Sequence, residues 1–325
     1  MTRKYINELK EQESISEVFR VTNKQLRPNR AGSLYLQMDL SDKTGVITAR
    51  LWNASENIYN LFENGDYIHV EGKAQVFQGA MQLIAKRFYR VNTSEVDEAE
   101  FIQTTGLCVE KLLETMDALL ATLERPALQK LAQCYREDVD FMEKFQLLPA
   151  GIKHHHAYRG GLLEHVVTMM TLAQKIGESY EYLDSEILLF GTFLHDTGKT
   201  VELECDPEFA YTDAGQLLGH IHLGVSMLEE KIREYERRFG EKFPNSLAMT
   251  LKHMIASHHG EYEFGSPKLP MTVEAMALHC IDLLDSKLAA FHQLLKEDLN
   301  TASPWTVFNP GLQRKLFKGL PEEEK

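Results

Sequence analysis

Residues 33–52 read SLYLQMDLSDKTGVITARLW. Two runs in it, Leu34-Tyr35-Leu36-Gln37-Met38 and Val46-Ile47-Thr48-Ala49-Arg50, alternate apolar with polar side chains, and SDKTG at 41–45 separates them. A period of two sends successive side chains to opposite faces, so each run reads as a half-buried strand bounded by a turn. Outward from this pair, β-branched and aromatic residues also fill ISEVFRVTN (15–23), DYIHVEGKAQVF (66–77) and AMQLIAKRFYRV (80–91). A second turn signal, FQGA (77–80), divides the last two, and a short helical stretch, NASENIYNLFENG, lies between the third and fourth strands. Five strands with one helix between the third and fourth is the order of an OB-fold barrel.

The segment NKQLRPNRAG (23–32) is expected as the loop between the first two strands, where OB-folds contact ligands. It holds Lys24, Arg27 and Arg30, while Tyr35 and Trp52, with Phe77 and Phe88, lie on the flanking strands. Cations follow a phosphate backbone and aromatic rings stack bases, which holds single strands without sequence choice. Each aromatic taken alone is more often core than stacking platform, so the basic loop carries more of this expectation.

Residues 92–105, NTSEVDEAEFIQTT, are polar and acidic and read as a linker. Beyond them the apolar period changes: Leu107, Leu112, Leu113, Met116, Leu119, Leu120 and Leu123 recur at helical steps. Helices are expected near 127–147, 161–179, 184–197, 215–239, 245–259 and 272–297. The chain therefore divides into a five-stranded OB-fold barrel at 1–91, a linker at 92–105 and an all-α domain at 106–325.

Length and composition agree with two globular domains. The net charge of −13 at first argues against nucleic acid, yet residues 1–90 carry 13 Lys+Arg against 10 Asp+Glu, a net of +3. The remaining 22 Lys+Arg and 38 Asp+Glu give −16, so only the first part has the charge for a polyanion. Four scattered cysteines without a C-x-x-C pair, no apolar leader and no membrane-length apolar run lead to the expectation of a reduced, cytoplasmic protein with no membrane contact.

Within the helical part, several histidines and aspartates sit where apolar neighbours predict burial. His165 lies in GGLLEHVVTMM, and His195 and Asp196 close LLFGTFL. His220 lies in GQLLGHIHLGV, His258 and His259 end LAMTLKHMIASHH, and Asp282 lies in ALHCIDLLDSK. A single histidine in an apolar helix is usually a core residue bonded to a carbonyl. Five such sites with an adjacent His-Asp pair point instead to a metal, and imidazole with carboxylate suits Mn, Fe, Co, Ni or Zn. Adjacent helical residues project about 100° apart, so His195 and Asp196 can both reach an ion lying between them. Lys199, three residues after Asp196, is placed to meet a phosphate oxygen. In HHHAYRGG (154–161), Arg159 suits bidentate phosphate binding, His155 or His156 suits protonation of a leaving group, and Tyr158 suits stacking on a base.

The ordered pattern H…HD…H…H…D resembles the HD superfamily of metal-dependent phosphohydrolases. The resemblance implies that His165, His195, Asp196 and Asp282 are core ligands, with His220 and His258 those of a second ion; the doublet leaves His259 open as the alternative to His258, or as a substrate contact. An OB-fold joined to such a domain, with HHHAYRGGLLEHV at 154–166, resembles the YhaM-type 3'-5' exoribonucleases over nearly the full chain. It implies a hydrolase with two divalent ions, Mn2+ foremost, removing nucleotides from single-stranded RNA, with single-stranded DNA a further substrate. Direction and RNA preference come only from this likeness. Three other readings stay open: a phosphohydrolase of free or cyclic nucleotides, a non-catalytic nucleic-acid-binding protein, and a dinuclear-iron oxygenase. Assembly as a homo-oligomer also stays open.

Overall fold

In the computed structural model the described residues are 3–29, 32–77, 80–101, 104–152, 158–205, 209–298 and 303–319. The chain forms two compact units, Met1–Gln103 with Leu294–Lys325, and Thr104–Gln293. The second unit thus closes before 325, where the sequence reading carried the helical domain to the end of the chain.

The first unit is a closed barrel of β1 (Ser14–Pro28), β2 (Leu34–Asp42), β3 (Gly45–Trp52), β4 (Tyr67–Phe77) and β5 (Ala80–Val91), ordered β1-β2-β3-β5-β4, with β4 returning to β1. The β3–β5 pairing is parallel and every other pairing is antiparallel. Helix α1 (Glu56–Tyr59), capped by the Ser55 hydroxyl, stands between β3 and β4. This is the OB-fold expected from the strand order. The alternation of β2 is literal: Leu36, Met38 and Leu40 are buried and pack with Phe19, Val21, Ile68, Val70 and Leu83, while Tyr35, Gln37 and Asp39 face outward.

One boundary differs from expectation. β1 does not stop at Asn23; it passes a bulge between Thr22 and Gln25, with Asn23 at φ +50°, and pairs with β2 as far as Pro28. The bulge absorbs the irregular residues that read as a loop. Lys24 and Arg27 are therefore strand residues.

The second unit is helical: α2 (Val109–Leu120), α3 (Pro126–Arg136), α4 (Val139–Leu147), α5 (Gly161–Ser179), α6 (Ser185–Leu194), α7 (Lys199–Glu202), α8 (Asp213–Phe239), α9 (Asn245–Ser257) and α10, which starts at Val273 and runs to Glu297. A two-residue ribbon, β6 (Leu203–Glu204) with β7 (Ala210–Tyr211), joins α7 to α8. The expected helix over 127–147 is two helices, because Asp138 accepts the Phe141 N–H and starts α4 afresh. α6 is apolar on every side and buried from Leu188 to Leu194, as its composition demands. Tyr135, Phe141, Phe145, Phe190 and Phe193 form the aromatic centre of the core around it. Among the described residues no helix is long and apolar enough to cross a membrane.

Candidate metal centre

α5 supplies His165 and the turn closing α6 supplies His195 and Asp196. α8 supplies His220, the end of α9 His258 and the following His259, and α10 Asp282. Asp196 stands at the middle, 2% exposed. Its Oδ2 lies 3.4 Å from His195 Nε2 and 3.7 Å from His165 Nε2, and its Oδ1 lies 3.6 Å from His220 Nε2 and 3.7 Å from His258 Nε2. Each carboxylate oxygen faces a different histidine pair. His165, His195 and Asp282 present ligand atoms within 4.8 Å of one another, and so do His220, His258 and His259. His258 is fully buried against Asp196, and His259 lies in the same cluster beside His220, ring centroids 5.1 Å apart.

The inward aim of the Nε2 atoms has a common cause. His195 Nδ1–H donates to the Thr192 carbonyl (2.6 Å), His258 Nδ1–H to the Ile255 carbonyl (2.8 Å) and His259 Nδ1–H to the Phe264 carbonyl (2.8 Å). His165 Nδ1–H donates to Asp285 Oδ2 (2.8 Å), and His220 Nδ1–H to Glu202 Oε1 (3.1 Å). Carbonyl and carboxylate oxygens only accept, so the proton sits on Nδ1 and the Nε2 lone pair faces the centre. Sequence reasoning missed Glu202 and Asp285. Asp285 had a signal, since it follows Asp282 by three residues on one helix face; Glu202 had none.

Burial opposes the charge on Asp196, but the Lys199 ammonium outweighs it and holds the carboxyl well below the usual carboxylate range. Burial likewise opposes the Lys199 ammonium, yet Asp196, 2.6 Å away, raises its pKa. Burial, with His195 and His259 nearby, pushes His258 well below the usual imidazole value, so it stays neutral. Three buried atoms at this centre, Asp196 Oδ1, His220 Nε2 and His258 Nε2, have no hydrogen-bond partner. Unpaired buried polar atoms are costly, and three converging lone pairs answer to a cation rather than to a core. Neutral imidazoles with carboxylates form the donor set that divalent transition metals take.

Tyr158 is half-buried, and Arg159 pairs its backbone with Thr104 and Thr105. His155 and His156 lie outside the described residues, as does Arg30. In the barrel, Lys24 corrects the expectation of a strand contact. It is 6% exposed, its ammonium donates to the Tyr59 and Phe62 carbonyls and pairs with Glu63, and it lies over the Tyr59 ring. A lysine so enclosed closes the α1 region and has no donor left for phosphate. Arg27, by contrast, is exposed, and Arg27, Tyr35 and Trp52 pair in register across β1, β2 and β3. Tyr35 and Trp52 rings are 5.1 Å apart, and Trp52 is 45% exposed. Arg50, overlooked in the sequence, adds a guanidinium 5.7 Å from the exposed Phe77 ring. Phe88 packs edge-on against Phe62 at the core.

An HD domain family model matches residues 162–287, and an OB-fold nucleic acid binding domain model matches 18–91. The 3'-5' exoribonuclease YhaM of a Geobacillus species is 32% identical over 298 residues, 90% of each chain. Those of Bacillus subtilis and Bacillus velezensis are 32% and 33% identical over 268 and 266 residues, 82% of each chain. The chain belongs to the YhaM family of 3'-5' exoribonucleases. Its HD match spans every ligand candidate from His165 to Asp282, so this YhaM-family chain is a hydrolase with a metal-dependent HD domain. The OB-fold match contains the Arg27–Tyr35–Trp52 row, and the barrel matches the nucleic-acid-binding OB-fold model along nearly all of its strands.

Proposed function

We propose that this chain hydrolyses single-stranded RNA from its 3' end, with single-stranded DNA as a second substrate, using two divalent ions, Mn2+ foremost. The observation that carries the reading is Asp196, buried, with each carboxylate oxygen directed at a separate histidine pair. His165, His195 and Asp282 with Asp196 Oδ2 would hold one ion; His220, His258 and His259 with Oδ1 would hold the other. Bound there, divalent ions supply Lewis acidity toward a phosphoryl oxygen and lower the pKa of an attacking water, so no serine or cysteine nucleophile is needed.

The chain's own residues then bind, orient and move protons. Lys199, held beside Asp196, steadies a substrate phosphate oxygen by charge. Arg159 grips phosphate through its two-pronged guanidinium, Tyr158 stacks on the terminal base, and His155 or His156 protonates the departing ribose oxygen. On the barrel, Arg27 neutralises backbone charge while Tyr35 and Trp52 stack bases, which tolerates any sequence. Residues 1–91 act as the strand-holding domain, 92–105 as the linker and the helical unit that closes at Gln293 as the phosphohydrolase domain. The reading places the protein in the cytoplasm and is compatible with homo-oligomers.

The test is incubation of 5'-end-labelled single-stranded RNA with Mn2+ or with chelator. A ladder shortening from the 3' end, absent with chelator and absent for Asp196→Ala while that variant still binds the oligomer, is the expected result. Internal cuts, cleavage of cyclic nucleotides with none of RNA, or a tenth of the rate left in Asp196→Ala would overturn the reading.

A further inference from the structure

The four histidines that face Asp196 are oriented in two different ways. His195 and His258 each give Nδ1–H to a carbonyl three residues back on their own helix. His165 and His220 instead give theirs to a carboxylate, Asp285 and Glu202 respectively. A carbonyl of the same turn comes with the helix itself. A carboxylate must be brought into place, and its charge makes the opposite ring nitrogen a stronger donor to a cation.

Glu202 does more than orient a ring. Gly219, at φ 71° and ψ 157°, breaks α8 immediately before His220. The break takes the His220 N–H away from a helical acceptor, and Glu202 Oε1 accepts it at 2.9 Å with the oxygen that also holds Nδ1. Glu202 ends α7 and is 7% exposed, so its carboxylate has little water to turn to. One oxygen therefore sets both the backbone and the side-chain rotation of His220. Asp285 is placed by a different element: it lies one turn beyond Asp282, so α10 supplies a ligand and the residue that orients a second ligand to the same cluster. The two carboxylates serve different clusters, Asp285 that of His165, His195 and Asp282, and Glu202 that of His220, His258 and His259.

We infer that Glu202 and Asp285 are positioning residues, each holding the histidine of one ion site, so that the two sites can be weakened separately. This rests on the two-ion reading above. Glu202→Gln and Asp285→Asn keep shape and an acceptor oxygen but remove the charge. The full chain, stripped by chelator and titrated with Mn2+, is followed by the electron paramagnetic resonance signal of free Mn2+, which counts bound ions without any RNA present. Wild type should take up two ions. Each single variant should keep one at wild-type affinity and bind the other about 10–100-fold more weakly, and the double variant should lose both tight sites. Raising Mn2+ should restore turnover to each single variant, which a merely structural defect would not allow.

Two ions at unchanged affinity in both single variants would overturn the inference while leaving the two-ion reading intact. So would loss of both ions from either single variant. Wild type binding one ion or none would overturn the two-ion reading itself, and this inference with it. A second measurement does not depend on any variant folding: 15N chemical shifts of the metal-free wild type should report His165 and His220 as Nδ1–H tautomers. An Nε2–H tautomer at either position would refute the assignment.

Discussion

The sharpest perturbation available is one methyl group at Gly198. Its backbone, φ −61° and ψ −19°, suits any residue, so conformational freedom is not why glycine stands there. The reason is proximity: a Cβ would lie 2.0 Å from the His220 carbonyl oxygen and 2.5 Å from the Gly224 nitrogen. Ordinary contact begins near 3.4 Å, so the His220 carbonyl would have to retreat by about 1.4 Å (3.4 minus 2.0). Both neighbours are backbone and cannot swing aside as a side chain does. The break at Gly219 makes the turn around His220 the weakest place to yield, and yielding there carries His220 away from Asp196. Overpacking of this kind costs about 1–3 kcal/mol, and misplacing a reactive group by 1 Å costs about 100-fold in rate.

Gly198→Ala is therefore expected to lower the urea midpoint by an amount worth about 1–3 kcal/mol and to cut turnover of labelled RNA about 100-fold. Gly224→Ala is the matched control. Its nearest foreign atoms are Ile255 Cγ2 at 3.3 Å and the Gly198 nitrogen at 3.4 Å, so the fit needs only a few tenths of an ångström. It should stay within about 1 kcal/mol and near wild-type turnover. A Gly198→Ala protein with wild-type midpoint and turnover would show that helix packing does not set the position of His220.

Three further outcomes are expected. Arg27→Ala should reduce the slope of log affinity for single strands against log salt by about 0.7, while Trp52→Ala should weaken binding by about 1–3 kcal/mol; a salt series and a fluorescence titration check each. Lys24→Met should leave the salt slope unchanged and destabilise the barrel by about 1–3 kcal/mol, because it strands the Tyr59 and Phe62 carbonyls. In chelator, stability should fall from pH 6.5 to 5.5, less steeply than the lowered histidines alone would give, because Asp196 outweighs burial at His195 and raises its pKa, an effect of opposite sign. Burial keeps folded His258 neutral well below its ordinary pKa, whereas the unfolded chain takes up the proton, so its contribution is present above about pH 6.5 and lost below it. For a group that does not protonate when folded, the loss over that unit is about 1 kcal/mol. His259 is lowered in the same direction, by burial first and then by His220, and adds to the loss. Denaturant midpoints at the two pH values that coincide would contradict this.

Periodicity was enough to order the barrel, because strand and helix repeats depend on neighbours in the chain. Leu36, Met38 and Leu40 had to share a face once β2 was a strand, and α5 and α10 lie close to where their apolar repeats placed them. The residues that could bind metal were legible for a related reason: a histidine or aspartate inside an apolar run conflicts with burial, and the conflict is visible locally. Local reading failed where the deciding partner was distant. Lys24 looked like a phosphate contact because nothing near it in the chain accepts its proton; Tyr59, Phe62 and Glu63, which do, lie more than thirty residues away. Glu202 was passed over for the same reason, since its partner His220 comes 18 residues later across a break in α8.

The sequence by itself determined the kinds of element, their order and the chemical types gathered on the helices. Only the folded chain decided that the two oxygens of Asp196 face separate pairs, that His258 and His259 join one cluster, and that two unremarked carboxylates hold the rings in place. Side-chain direction at a shared centre depends on how five separate chain segments pack, and no spacing within one of them carries that information.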